Sequence, residues 1–240
     1  GSYYKMRGNT YESIATVIGI GADGSEIDLQ LTKDTALVLF HDNDMGAYTT
    51  CSGTIYENNL ADIVQCQYNS LQQNAYIISA EDLFSRLPDL NNLYFAFDCK
   101  LDYNVPNYAL YQSQFLRAIK SLCDKYNMSD HVFIEGHETF LAEAQQLGLS
   151  NKLFLSGAFN SSNLSITLSN SFAGLVTQTD DFELDSDSAH TKGLYLMAYA
   201  PYNYYLNLDA VRKDIDILQT DEPISILKEF NRFNYDYVIP

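Results

Sequence analysis

Two acidic residues stand two positions apart in Ser25-Glu26-Ile27-Asp28-Leu29, separated and followed by apolar ones. Side chains of an extended strand alternate between faces, so Glu26 and Asp28 point the same way and offer hard oxygen ligands to a divalent cation. A histidine ends the next apolar run, in Leu39-Phe40-His41-Asp42, and an imidazole changes charge near neutral pH, as a group that moves protons in catalysis must. A third polar tip, Asp98-Cys99-Lys100, follows Leu93-Tyr94-Phe95-Ala96-Phe97. Asp98 and Lys100 share a face by the same parity, and a carboxylate and an ammonium there can hold a metal and a phosphate oxygen. Glu135-Gly136-His137-Glu138 and Asp216 to Pro223 are further polar tips of this kind.

Each of these residues also has a plain structural alternative. Paired acids commonly sit on solvated surfaces, and a single histidine is commonly a hydrogen-bonded structural one. Lys100 suits an ion pair with Asp98 as well as it suits a phosphate. His137 can begin a helix as its cap or stand in for a second catalytic imidazole. His131 and His190 read as strand-entry or surface residues, and the tyrosines Tyr202, Tyr204 and Tyr205 as rim packing.

Elements that would position these groups can be read from the pattern. Apolar runs at Ser25 to Leu31, Ala36 to Phe40, Leu93 to Phe97, His131 to Ile134, Lys152 to Leu155, Ala173 to Val176, Gly193 to Tyr199 and Ile215 to Leu218 lack clean alternation, as strands buried on both faces do. Between them, helical periodicity predicts helices over residues 10–19 (capped by Asn9 with Glu12), from Tyr108 to Lys125, after Glu138 and from Pro223. Strands alternating with helices predict a parallel α/β fold, a (β/α)₈ TIM barrel in a single domain spanning 1–240, with a short insertion after the second or third strand. Only Thr32-Lys33-Asp34-Thr35 separates the first two runs, too few residues for a parallel crossover, so those two should pair as a hairpin. An N-terminal strand near Tyr3 to Met6 would then complete the barrel.

Composition narrows the partners. A formal net charge of −17 argues against a nucleic-acid surface, which needs clustered Lys and Arg, so any anionic substrate must meet a local cation. No apolar run approaches the roughly 18–20 residues that cross a bilayer, and no signal peptide is present in the sequence given. Gly1-Ser2 reads as a scar left after removal of an export signal or as an ordinary start. The four cysteines lack metal-ribbon spacing and are too sparse to suggest a disulfide scaffold, which leaves the compartment open, with export (periplasmic or extracellular) favoured over the cytoplasm. The oligomeric state is not readable.

Several of these segments, in this order, resemble the glycerophosphodiester phosphodiesterase family. They are Asn9-Thr10-Tyr11-Glu12-Ser13, Gly21-Ala22-Asp23, Glu26-Ile27-Asp28, Leu31-Thr32-Lys33-Asp34, Val38-Leu39-Phe40-His41-Asp42, Gly53-Thr54-Ile55, Phe97-Asp98-Cys99-Lys100 and Thr220-Asp221-Glu222-Pro223. The resemblance implies a TIM barrel and hydrolysis of glycerophosphodiesters, from lipid headgroup metabolism, to an alcohol and glycerol phosphate. It also implies a divalent cation, Ca or Mg, held by Glu26, Asp28 and Asp98, with Lys100 and Arg7 contacting substrate and His41 as a catalytic histidine. The chain departs from the family in three places. No histidine precedes His41, whether Met6 replaces the family's first histidine or that histidine falls near or before the start of the chain. Asp98 stands where the family usually has Glu, about one carbon–carbon bond (roughly 1.5 Å) shorter in reach, leaving a gap for water or a backbone shift to fill. Met197 to Asn203 stands where many relatives carry a Trp-Thr-Val-Asn-like strand. A catalytically degenerate relative that binds a phosphorylated ligand or a protein partner is the alternative reading.

Overall fold

The computed structural model describes residues 6–69, 74–179 and 185–237. Helix α1 (Tyr11–Gly19) leads into β1 (Gly24–Leu31) and β2 (Leu37–Leu39), followed by α2 (Leu60–Ile63) and α3 (Ala80–Arg86). Strand and helix then alternate: β3 (Tyr94–Cys99), α4 (Tyr108–Tyr126), β4 (Val132–Gly136), α5 (Glu138–Gln146), β5 (Lys152–Ser156), α6 (Ser161–Ser169) and β6 (Gly174–Gln178). The series ends with α7 (Ser186–His190), β7 (Tyr195–Tyr199), α8 (Tyr204–Arg212), β8 (Ile217–Leu218) and α9 (Pro223–Glu229). The strands form one sheet in the order β2-β1-β3-β4-β5-β6-β7-β8.

Neighbouring strands run parallel except at one edge, where β2 lies antiparallel on β1 with Leu29 opposite Leu39 and Leu31 opposite Leu37. The short link is the cause. Thr32 N–H donates to Ala36 O at 2.9 Å, and Thr35 takes a left-handed φ of 64°, so the chain reverses on itself as the spacing predicts. The proposed N-terminal strand falls on residues outside those described, apart from Met6, which lies in a bend.

Strand parity sorts the core into two layers. Ile27, Leu29, Phe95, Phe97 and Ile134 face outward and pack with Ile14, Phe115, Leu116, Phe140 and Leu141 of the helices. Ala96, Phe133, Phe154, Val176 and Met197 face the other way and form a separate interior cluster. The sheet curls around that cluster: Gln219, just past β8, donates a hydrogen bond to Glu135 at the tip of β4, four strands away in the sheet order. A flat sheet would hold those strands about 19 Å apart at about 4.8 Å per step. The C-terminal segment lies against the turn before β1, with Asn234 N–H donating to Ile20 O at 2.9 Å and Arg232 pairing with Asp23. Gly21 is required in that turn, because its φ is +117° and a Cβ would sit 2.3 Å from the Arg232 carbonyl oxygen.

Two sequence expectations need correction here. The cap of α1 is Thr10, whose hydroxyl accepts from Ser13 N–H, and not Asn9 with Glu12. Cys51 and Cys66 are joined by a disulfide within the long excursion between β2 and α3, where Phe40, Met45, Ile55, Ile63, Tyr68 and Ile77 form a small core of their own. The cross-link restricts the unfolded states of that excursion and so adds to what its own buried cluster supplies.

Candidate active site

Register carries three carboxylates to one level of the sheet. Asp28 on β1 pairs with Asp98 on β3, which pairs with Glu135 on β4, and Glu26 lies one inward-facing position below Asp28, level with Ala96. All four share the parity of the interior cluster. Glu26, Asp28 and Asp98 each offer a carboxylate oxygen within 4.8 Å of the others, so the shortened side chain of Asp98 does not keep it out of the group. Lys100, from the same tip, places its Nζ 3.0 Å from Asp28 Oδ1 and 2.6 Å from Asp98 Oδ2. The ion-pair reading of Lys100 is the one observed, and its pairs lie inside the acidic group.

Asn9 is the residue sequence reasoning assigned elsewhere. Its Nδ2 donates to Asp28 Oδ2 at 2.6 Å and its Oδ1 accepts the Asp28 backbone N–H at 3.0 Å, which fixes both the strand and the carboxylate. Gln30, inward on β1 beyond Asp28, does the same for the other wall. Its Nε2 donates to Phe40 O and Asp42 O, each at 2.8 Å, and so holds the chain on either side of His41. His41 Nδ1 lies 3.2 Å from Asp42 Oδ1, while Asp42 Oδ2 lies 3.4 Å from Arg7 Nη2. The Arg7 guanidinium also rests over the rings of Tyr48 and Tyr68, 4.7 and 5.0 Å from their centroids.

These groups line one cleft of about 1360 Å³, with Arg7, Glu26, Asp28, His41, Asp98, Lys100 and Glu135 in its wall. Its electrostatics follow from crowding. Burial, reinforced by the charges of Asp28 and Asp98, pushes the Glu26 carboxyl up to about 7. Burial, with Asp98 and Glu26 adding to it, pushes Glu135 up to about 8. Burial alone would lower the Lys100 ammonium, but Asp28 and Asp98 outweigh it and raise it. An all-carboxylate donor set whose charges repel one another to this degree fits a hard divalent cation, which would relieve that repulsion.

The remaining histidines lie elsewhere. His137 caps α5, its Nδ1 accepting from Phe140 N–H at 3.3 Å, which is the structural one of its two readings. His131 bonds the Leu93 carbonyl below the amino end of β3, and His190 sits between Asp214 and Asp216. His41 is therefore the cleft's histidine among the described residues.

Interior acids at the carboxyl ends of parallel strands, beside a lysine and a histidine in one cleft, form a candidate site for a divalent cation and an anionic ligand on an α/β scaffold. Residues 1–137 match the Glycerophosphoryl diester phosphodiesterase family, and the chain belongs to it. The fold is similar to a phosphodiesterase of Oleispira antarctica solved with the product sn-glycerol-3-phosphate (18% identity, 96% of this chain and 94% of that one, TM-score 0.79). It is similar to a glycerophosphodiester phosphodiesterase of Parabacteroides distasonis (18% identity, 96% and 94%, TM-score 0.78). A third likeness is to the glycerophosphodiester phosphodiesterase of Thermotoga maritima (17% identity, 95% of each chain, TM-score 0.73). No curated protein matches the chain.

Proposed function

We propose that this chain is a metal-dependent phosphodiester hydrolase that cleaves glycerophosphodiesters to an alcohol and glycerol phosphate. The observation that carries the reading is the convergence of Glu26, Asp28 and Asp98 beside Lys100 in the cleft that His41 lines, in a chain of this family. A calcium or magnesium ion held by those three carboxylates would supply charge neutralisation to the phosphate and acidify an attacking hydroxyl. Lys100 and Arg7 are the cations that meet the anionic oxygens, Arg7 held for that role by Asp42 and the two tyrosine faces. Asp42 holds His41 through Nδ1, which leaves Nε2 to exchange the proton. As the bond from an attacking water oxygen to phosphorus forms and the phosphorus–oxygen bond to the alcohol breaks, His41 delivers its proton to the departing alkoxide and regains one from the attacking water.

The finer architecture belongs to the same proposal: a single domain, closed as a (β/α)₈ barrel, with the stretch between β2 and α3 as its insertion. The reach of Gln219 to Glu135 across the interior supports it. The Cys51–Cys66 disulfide supports an oxidising compartment, periplasmic or extracellular.

A binding relative without turnover is the second reading, favoured by the single imidazole in the cleft, since losing one member of an acid/base pair costs about 10²- to 10⁴-fold. Hydrolysis of glycerophosphocholine with calcium, magnesium or chelator separates the two. The hydrolase reading expects cleavage that chelator abolishes and that Glu26→Ala and His41→Ala each reduce at least a hundredfold; cleavage indifferent to both substitutions refutes the assignment.

A further inference from the structure

We propose that the arc of the cleft formed by Glu135, Ser156, Tyr199 and Gln219 is a subsite for the hydroxyl-bearing alcohol of the substrate, with Glu135 the residue that selects it. The inference rests on the phosphodiesterase reading above and names which part of the substrate lies where. Phe133, Phe154, Met197 and Ile217 belong to the interior cluster, and the next inward positions along the same strands are Glu135, Ser156, Tyr199 and Gln219. All four line the cleft. The mouth of the curled sheet is therefore divided. Arg7, His41 and Lys100 stand on the β1 to β3 side with the three clustered acids. The other cation in the described lining, Arg232, is paired with Asp23 near the amino end of β1. An anionic phosphate is drawn to the cationic side, so a substituent crossing the cleft meets hydroxyls, an amide and a carboxyl.

Glu135 is set for that contact. It is 6% exposed, and the Gln219 amide donates to Oε1, anchoring the carboxyl through a neutral partner while its second oxygen remains a hydrogen-bond acceptor. A carboxyl held this way, on the arc of the cleft away from Arg7, His41 and Lys100, can bond a substrate hydroxyl. A site built to bond a substrate hydroxyl rejects the analogue lacking it, because its buried polar groups are then left unpaired. Ser156 and Tyr199 add hydroxyls that both donate and accept, which suits a polyol better than an ammonium group.

The test is calorimetric binding of glycerol 3-phosphate, methyl phosphate and phosphoethanolamine to the whole chain with magnesium or calcium present. Wild-type protein should bind glycerol 3-phosphate at least about tenfold more tightly than methyl phosphate. Glu135→Ala should bring that ratio to within twofold while methyl phosphate still binds, and Gln219→Ala, which removes only the anchor, should reduce it about threefold. The proposal is overturned if wild-type binds the first two equally or binds neither, if phosphoethanolamine binds most tightly, or if both variants keep the ratio. Loss of methyl phosphate binding in Glu135→Ala also overturns it, because the residue would then act at the phosphate. Glycerophosphodiester turnover by the wild type is measured alongside. Its absence with the ratio intact removes the hydrolase reading alone, and its presence without the ratio removes the subsite alone.

Discussion

Asn9 grips Asp28 at two points, its Nδ2 on the carboxylate at 2.6 Å and its Oδ1 on the backbone N–H at 3.0 Å. Because Asn9 itself has a φ of 60° just before α1, the turn into the first helix and the first proposed metal ligand are set by one residue. Removing its side chain takes both bonds from Asp28, whose other oxygen already pairs with Lys100 at 3.0 Å. Asn9→Gly keeps the left-handed backbone accessible, whereas Asn9→Ala strains it. Both variants should weaken cation affinity by roughly 10- to 100-fold, the usual effect of losing a group that orients a ligand. Titration calorimetry of both variants checks this: an Asn9→Gly protein with wild-type affinity would show that the contact matters only for the backbone.

The crowded carboxyls predict an unusual pH dependence for the metal-free protein. Glu26 and Glu135 titrate at about 7 and about 8 in the folded chain, above their unfolded value of 4.5. The folded state therefore binds more protons between these limits, and the stability they contribute is complete below pH 4.5 and lost as pH rises to about 8. Asp34 and Glu81, held low by Thr32 and Lys125, matter only on acidification below the ordinary carboxylate range, while His137, lowered by burial, gains stability as pH rises toward 6.5 and offsets part of the trend. Thermal denaturation in chelator should show Tm falling from pH 5 to pH 8, and Glu135→Gln should flatten the curve. A Tm that rises over that interval would contradict the burial of these acids.

The disulfide has a mechanical consequence for the cleft. Cys51 and Cys66 close a loop whose neighbours Tyr48 and Tyr68 flank Arg7. With a sequence separation of 15, the cross-link should stabilise the excursion by about 3 kcal/mol in the loop-closure treatment. The Cys51→Ala, Cys66→Ala double variant should lose about that much in denaturant melts and raise KM, and reductant should bring the wild type to the same curve. Identical melts with and without reductant would show that packing alone holds the excursion.

Much of this was legible in the residues, for identifiable reasons. Runs such as Leu93 to Phe97 and Lys152 to Leu155 are long and apolar enough to fix their strands, and the short Thr32 to Thr35 link left only a hairpin. The alternation of Glu26 with Asp28 and of Asp98 with Lys100 is local, so parity placed each pair on one face. The level pairing of Asp28, Asp98 and Glu135 depends on register between strands distant in sequence, which no single segment encodes. Glu135 shares the parity of His137, whose imidazole caps a helix and leaves the carboxyl as the polar group of that tip facing the cleft. The Gln219 contact with Glu135 exists only because the sheet curls, and the pairing of Cys51 with Cys66 only because the excursion folds back.

The most direct measurement is titration of the chelator-treated chain with magnesium and calcium, comparing wild type with Glu26→Gln, Asp28→Asn and Asp98→Asn, substitutions that keep shape and remove charge. The account predicts one ion per chain, proton release on binding at pH 7 from Glu26, and at least a hundredfold loss of affinity in each variant. Wild-type affinity in all three variants, or no saturable binding by the wild type, would contradict a cation site at these carboxylates.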